Sequence, residues 1–337
     1  MVQRRHILSW IVSFKSLSDM GEQENNMKLA FLYAGQGSQR AGMGKDFYEN
    51  RAEFAEILDA VNLDFDLKEL MFHGPEEQLS QTHYTQPCMA AFAAGVTAIL
   101  KKEGLVPDYV AGLSLGEYSA LHAAGVFDAK TLVELVAFRG KAMEDAASGI
   151  TCKMSAVMGM ESAALQEICN KACEATGHYV TVSNFNCTGQ YVICGEEEAV
   201  TAAEVLAKEA GAKRCMPLRV SGPFHTKFMK PAGDALEKKF QELSFGTMQI
   251  PVIFNTLADE LTADKTIPEL LVQQVQSSIY MEDTIKLLAA KGVDTIVEIG
   301  PGKVLSGFVK RTAPEMTSYV VEDMVSLEAA LSALKGN

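Results

Sequence analysis

Residues 110–125 read Val110-Ala111-Gly112-Leu113-Ser114-Leu115-Gly116-Glu117-Tyr118-Ser119-Ala120-Leu121-His122-Ala123-Ala124-Gly125. A short apolar run ends in a serine with glycine two residues away on either side, and an Ala- and Leu-rich helix-forming run follows at once. That order predicts a strained strand-turn-helix, a G-x-S-x-G nucleophile elbow with Ser114 as the candidate nucleophile. The flanking glycines let the chain turn without Cβ clashes, and the backbone N–H of Leu115 is left facing a substrate carbonyl oxygen. Taken alone, the same five residues also suit a Gly/Ser-rich turn without chemistry.

Upstream, Lys28 to Ala34 reads as a strand that runs into the glycine-rich loop Gly35-Gln36-Gly37-Ser38-Gln39. Its first two glycines imitate a dinucleotide fingerprint, but Ala41 or Gly42 fits the third position poorly and no acidic ribose reader follows. Helical patterns fill Phe47 to Ala60, Pro87 to Lys102 and Ala129 to Asp145, and Tyr109 to Ala111 enters the elbow. Strand alternating with helix predicts an α/β domain with a parallel sheet. From residue 152 the order becomes strand Met154 to Met160, helix Ser162 to Ala175, a hairpin of Tyr179 to Phe185 and Gln190 to Cys194, helix Glu197 to Ala210 and strand Arg214 to Val220. This βαββαβ order is the ferredoxin-like plan. It predicts a small subdomain over 152–221, inserted into a large domain made of 27–151 and 222–337. The large domain resumes with a helix from Met229 to Leu243 and strands at Ile250 to Asn255 and Thr295 to Glu298.

With 337 residues and 48% hydrophobic content, the chain can bury a large domain with a smaller one attached. Its 43 acidic against 30 basic residues leave a net charge of −13, which disfavours wrapping nucleic acid or lying on an anionic membrane. No apolar run reaches the ~18 residues of a membrane span, and the longest, Pro87 to Leu100, reads as a buried helix. Seven cysteines, an odd number with no Cys-x-x-Cys pair, read as reduced thiols of a cytoplasmic protein. Residues 1–26, which hold the single tryptophan Trp10, read as a disordered extension, and Asp19, Glu22 and Glu24 argue against a targeting peptide.

A serine hydroxyl needs a base within hydrogen-bond reach. Of six histidines, His6 lies in the extension, His73, His83 and His178 occupy polar or turn-like contexts, and His122 points down the elbow helix into the protein body. His225 stands in the loop Ser221-Gly222-Pro223-Phe224-His225-Thr226-Lys227, between a predicted strand and a predicted helix, where side chains reach a cleft. On the residues alone it divides evenly between a base and a structural histidine. Arg139 reads, on the same terms, as a solvated helix charge.

Five stretches in order carry a resemblance. Gly35-Gln36-Gly37-Ser38-Gln39, Gly112-Leu113-Ser114-Leu115-Gly116-Glu117-Tyr118-Ser119-Ala120, Arg139-Gly140-Lys141-Ala142-Met143, Gly222-Pro223-Phe224-His225 and Glu298-Ile299-Gly300-Pro301-Gly302 together resemble the malonyl-CoA:acyl carrier protein transacylase family. The match runs from about residue 28 to about residue 312. The resemblance implies an α/β-hydrolase-like large domain and transfer of malonyl from malonyl-CoA, through a malonyl-serine, to the phosphopantetheine thiol of acyl carrier protein in fatty-acid biosynthesis. Ser114 would be the nucleophile and His225 the base, with the backbone N–H groups of Gln36 and Leu115 as the oxyanion hole.

The same resemblance makes Arg139 the binder of the malonyl carboxylate, since a guanidinium fork holds a carboxylate through two parallel hydrogen bonds. It adds Met143 to the substrate pocket and likens Phe224 to the bulky residue of malonyl-selective members, for which core packing is the alternative. It sets a glutamine beside His225 in place of an acid. Gln274 aligns best and Gln273 is one residue away. Asn255 and Asn186 read as turn or strand-end residues that could also line the pocket. Leu113 departs from the histidine that many members carry before the serine. No cofactor or metal is implied beyond the coenzyme A thioester of the substrate. A monomer is expected, with a local basic face for the acidic carrier protein at Lys227, Lys230, Lys303, Lys310 and Arg311. The competing readings are a serine hydrolase or thioesterase, which calls for an acid behind the histidine, a free-standing acyltransferase of a polyketide pathway, and a carrier-binding domain without chemistry.

Overall fold

The computed structural model describes residues 27–218 and 222–336. The expected extension over 1–26 and the end of the expected strand at Arg219 and Val220, with Ser221 after it, lie outside the described residues. Among those described, ten strands form two sheets: β1 (Leu29–Tyr33), β2 (Tyr109–Gly112), β3 (Cys152–Met158), β4 (Val180–Cys187), β5 (Gln190–Glu196), β6 (Arg214–Pro217), β7 (Val252–Ile253), β8 (Ile279–Tyr280), β9 (Thr295–Ile299) and β10 (Thr317–Val321).

Five of them make a fully parallel sheet in the order β10-β9-β1-β2-β7. β1 is buried at every residue, as a central parallel strand covered by helices on both faces must be. Its register against β2 pairs Tyr33 with Gly112, so the loop leaving β1 and the elbow leaving β2 emerge side by side at the carboxyl edge. Ligands of open parallel sheets gather at that edge. The other five strands form a mixed sheet in the order β6-β3-β5-β4-β8. Within residues 152–218 the element order is strand, helix, strand, strand, helix, strand, as expected. The expectation did not include β8, which comes from outside that range and pairs parallel with β4 through Asn184–Ile279 and Phe185–Tyr280.

Several helix limits differ from expectation. The pattern over Phe47 to Ala60 divides into helices Lys45–Asn50 and Ala52–Ala60, because Arg51 takes an extended backbone and sets its guanidinium between Glu53 and Glu103. The helix expected from Pro87 begins earlier, at Thr82, and passes straight through Pro87 to Lys102. Proline costs one internal N–H bond there. Packing offsets it: helix Ala129–Ala147 crosses so closely that a Cβ on Gly140 would lie 2.8 Å from the Thr82 carbonyl oxygen. After His225 a single 3-10 turn, Lys227–Met229, precedes helix Lys230–Phe240, and the expected strand around Ile253 shrinks to the two residues of β7.

The Glu298-to-Gly302 motif has a structural task at the end of β9. The buried carboxylate of Glu298 accepts the N–H groups of Leu305 (2.9 Å) and Ser306 (2.7 Å), filling two of the unpaired donors at the start of helix Val304–Thr312. The loop between strand and helix is thereby drawn against the β1 loop, where a Cβ on Gly300 would lie 2.4 Å from that of Ala34.

Candidate active site

The elbow forms where β2 ends. Ser114 has φ 54° and ψ −101°, a left-handed backbone unusual for a residue with a side chain, and it stands immediately before helix Leu115–Ala123. Space dictates both glycines of the motif. A Cβ on Gly112 would meet the Gly116 carbonyl carbon at 2.1 Å, and one on Gly116 would meet the Tyr33 oxygen at 2.1 Å. The β1 loop is equally close, since a Cβ on Gly35 would lie 2.6 Å from the Leu113 oxygen.

His225, 111 residues away in sequence, meets the serine: its Nε2 lies 2.8 Å from Ser114 Oγ. Its Nδ1 lies 2.8 Å from the main-chain oxygen of Gln274. A carbonyl oxygen only accepts, so Nδ1 carries the proton and Nε2 is left to accept from the serine hydroxyl. The ring is buried, with φ 59°. Burial, and then the positive charge of Arg139, push its pKa down to about 4. It is therefore a neutral imidazole at pH 7.

Arg139 is the largest fully buried side chain among the described residues, and not the solvated helix charge that the residues alone suggested. The reason is rotation: it lies on the inner face of helix Ala129–Ala147, with its guanidinium 5.2 Å from the centre of the Tyr118 ring. Nη1 donates to Gln86 Oε1 (2.8 Å), and Nη2 donates to Gln274 Oε1 (2.9 Å) and Ser114 Oγ (3.1 Å). All three acceptors are uncharged. Met143, one turn further on, is buried and receives Gln86 Nε2 on its sulfur at 3.3 Å.

Gln274 joins the parts. Besides holding His225 through its carbonyl and Arg139 through Oε1, its side-chain nitrogen donates to the Ser114 carbonyl at 2.8 Å. Gln273, its neighbour in sequence, is exposed and lines the outer groove between helices Lys230–Phe240 and Ile267–Gln276. The backbone N–H groups of Gln36 and Leu115 meet no acceptor among the described residues, and the Gln36 amide donates to Thr82 Oγ1 at 3.0 Å. Phe224 is buried behind Gly222, where a Cβ would meet its ring at 2.8 Å. The remaining described histidines are held elsewhere: His122 by the Phe127 carbonyl, His73 by Glu69, His83 by Glu144, and His178 by Glu196 and Glu198. Asn186 lies inside β4.

Three further side chains complete the site. Gln86 orients Arg139. Asn255, read as a strand-end residue, takes the Ser114 N–H on Oδ1 at 2.7 Å and gives Nδ2 to the Gly112 carbonyl at 2.6 Å. Glu117, inside the quoted elbow stretch, accepts the Asn255 backbone N–H at 2.5 Å. One available signal for Asn255 was its place just past a strand of the parallel sheet, at the edge where sites gather.

The arrangement can take a proton from a serine oxygen and set an anion against a buried guanidinium. The family model for the acyl transferase domain matches residues 30–330. The malonyl CoA-acyl carrier protein transacylase of Bacillus subtilis (strain 168) is 42% identical over 310 residues, covering 91% of this chain and 98% of that protein. The crystal structure of malonyl CoA-acyl carrier protein transacylase from Clostridium perfringens superimposes with a TM-score of 0.88 at 39% identity, covering 92% of this chain and 98% of the other. A malonyl-transacylase solved in complex with its type II PKS acyl-carrier protein superimposes with a TM-score of 0.83 at 36% identity, covering 92% and 100%. With the acyl transferase model spanning nearly all of the described chain, and with relatives matched over almost their full length, the chain belongs to the acyl transferase domain family, among the malonyl CoA-acyl carrier protein transacylases.

Proposed function

We propose that this acyltransferase moves a malonyl group from malonyl-CoA to the phosphopantetheine thiol of an acyl carrier protein, by way of a malonyl ester on Ser114, to supply fatty-acid elongation. The observation that carries the reading is the convergence of Ser114 Oγ with a neutral His225 and an arginine that has no anionic hydrogen-bond partner. Burying a guanidinium without a carboxylate is costly. Here it leaves a positive charge ready for the free carboxylate that distinguishes malonyl from acetyl.

In this reading Ser114 Oγ attacks the thioester carbonyl while its proton passes to His225 Nε2. The Nδ1–H bond to the Gln274 carbonyl steadies the imidazolium that forms. The negative oxygen of the tetrahedral intermediate faces the N–H groups of Gln36 and Leu115, donors of a kind worth about 3 kcal/mol each in barrier. Collapse expels the coenzyme A sulfur, which takes the proton from His225. The carrier thiol then gives its proton to the same nitrogen, attacks the ester and expels Ser114 Oγ, which takes that proton back from His225 Nε2. The malonyl carboxylate would occupy the Arg139 fork in place of the Ser114 and Gln274 contacts, with Gln86 still holding Nη1. Met143 and Phe224 would wall the acyl pocket. A carbonyl, rather than an Asp or Glu, stands behind His225, which counts against a hydrolase triad. No step calls for a cofactor.

The same proposal takes residues 27–151 and 222–337 as an α/β-hydrolase-like domain and 152–221 as a ferredoxin-like insertion, supported by the strand order β6-β3-β5-β4. It takes the protein as a cytoplasmic monomer, with Lys227, Lys230, Lys303, Lys310 and Arg311, all exposed, meeting the carrier protein. No helix among the described residues is long and apolar enough to cross a membrane. The central test is intact mass after mixing with malonyl-CoA. A malonyl adduct should form on the wild-type protein, pass to added carrier protein, and be absent from Ser114→Ala. An adduct that persists in Ser114→Ala would name another nucleophile, and one that hydrolyses before any transfer would name a hydrolase.

A further inference from the structure

We infer that Asn255 and Glu117 form a latch that positions the nucleophile elbow, keeping Ser114 in the backbone conformation from which its hydroxyl reaches both His225 and the substrate. The inference rests on the reading of Ser114 as nucleophile. Ser114 is one of three non-glycine residues with positive φ among those described, and nothing in its own side chain favours that state. The conformation must be imposed by its neighbours.

The Asn255 amide does this from one side. It accepts the Ser114 N–H and donates to the Gly112 carbonyl, spanning the turn from its first residue to its third. The two partners settle which way the amide faces, because an N–H must meet the oxygen and a carbonyl must meet the nitrogen. Gln274 holds the Ser114 carbonyl, so both peptide groups of the nucleophile are tied to side chains from distant segments.

Asn255 itself needs support, because β7 has only two residues and ends before it. The Asn255 carbonyl accepts the Tyr280 N–H at 2.9 Å, and its N–H goes to the Glu117 carboxyl. Glu117 lies on the first turn of the elbow helix. The circuit therefore closes on itself: the elbow carries Glu117, Glu117 holds Asn255, and Asn255 holds the elbow. Both side chains are buried. Burial pushes the Glu117 carboxyl up to about 8 against the opposing influence of the Asn255 N–H and Arg139, so a neutral amide is a fair substitute for it.

The test measures the rate at which diisopropyl fluorophosphate labels Ser114, by intact mass, beside kcat and KM for malonyl-CoA, all on the full chain. In Asn255→Ala both labelling and kcat should fall about 10- to 100-fold, the scale of a small misplacement of a reacting group, while KM stays within about twofold because Arg139 is untouched. Glu117→Ala should slow labelling similarly, and Glu117→Gln, which keeps an acceptor oxygen for the Asn255 N–H, should recover most of that loss. Labelling of Asn255→Ala at the wild-type rate, or equal behaviour of the two Glu117 variants, would overturn the latch. If Asn255→Ala does not fold, the Glu117 pair decides. A wild-type protein that neither reagent modifies at Ser114 would instead overturn the nucleophile reading, and the latch with it.

Discussion

Ser114 and Arg139 share a hydrogen bond, and the chemistry of each depends on the other's. The guanidinium donates to Ser114 Oγ while His225 waits to accept its proton, so the oxygen is polarised from two sides. Arg139→Ala is expected to depress malonyl transfer by roughly 2 to 5 kcal/mol of transition-state stabilisation, the cost of losing one member of a buried charged contact. Acetyl transfer, which offers no carboxylate, should fall far less, and comparing kcat/KM for the two thioesters checks this. His225 makes a prediction about pH. A histidine at its ordinary 6.5 would be mostly protonated at pH 5 and useless as a base, whereas one lowered to about 4 is still mostly neutral there. The acidic limb of kcat/KM should therefore lie near pH 4, and a limb near 6.5 would show that His225 is better solvated than this geometry implies.

At the scale of elements, strand ends build the site and helix starts hold it. β1, β2 and β7 deliver the glycine-rich loop, the elbow and Asn255 to one edge, while helix Ala129–Ala147 delivers Arg139 from beneath. The Glu298 carboxylate is the counterpart of this at β9. Replacing it by alanine leaves the Leu305 and Ser306 N–H groups at the helix start without their acceptor, and should lower stability by about 2 kcal/mol in urea unfolding. Because the loop it secures packs on the β1 loop that carries Gln36, kcat should also fall. Loss of stability with unchanged kcat would limit Glu298 to capping. The helix that passes through Pro87 shows why such limits were hard to read in advance. Local rules end a helix at proline, but the close crossing at Gly140 is a tertiary contact between segments far apart in sequence.

Across the whole molecule, a net charge of −13 repels an acidic carrier protein, so association depends on where the few cations stand. Several proposed docking residues are already engaged on the surface. Lys230 pairs with Asp234, Arg311 Nη1 donates to Gln190, and Lys227 sits 4.0 Å from the centre of the Tyr179 ring. Charge reversal at Lys310 and Arg311 should raise the carrier-protein KM about tenfold at low salt and less at high salt, leaving the malonyl-CoA KM alone. An unchanged carrier-protein KM would move docking to another face.

Sequence by itself determined the alternating strand-helix plan and the residue types of the chemistry, but not β8 or the helix limits at Arg51 and Pro87. The alternation of apolar runs with helical patterns, the glycines around Ser114 and the order of motifs are local properties, and local sterics and turn chemistry reproduce them wherever the chain goes. Which of those residues meet is a property of the tertiary structure; before it, only the family resemblance pointed to the pairing of Ser114 with His225 and to the tasks of Arg139 and Gln274. The tertiary structure brought His225 to Ser114 across 111 residues, chose Gln274 over Gln273, turned Arg139 inward and enlisted Asn255 and Glu117. These pairings depend on strand order and on the rotation of each helix about its axis. Both are set by the packing of the whole core, and no spacing along the chain records them.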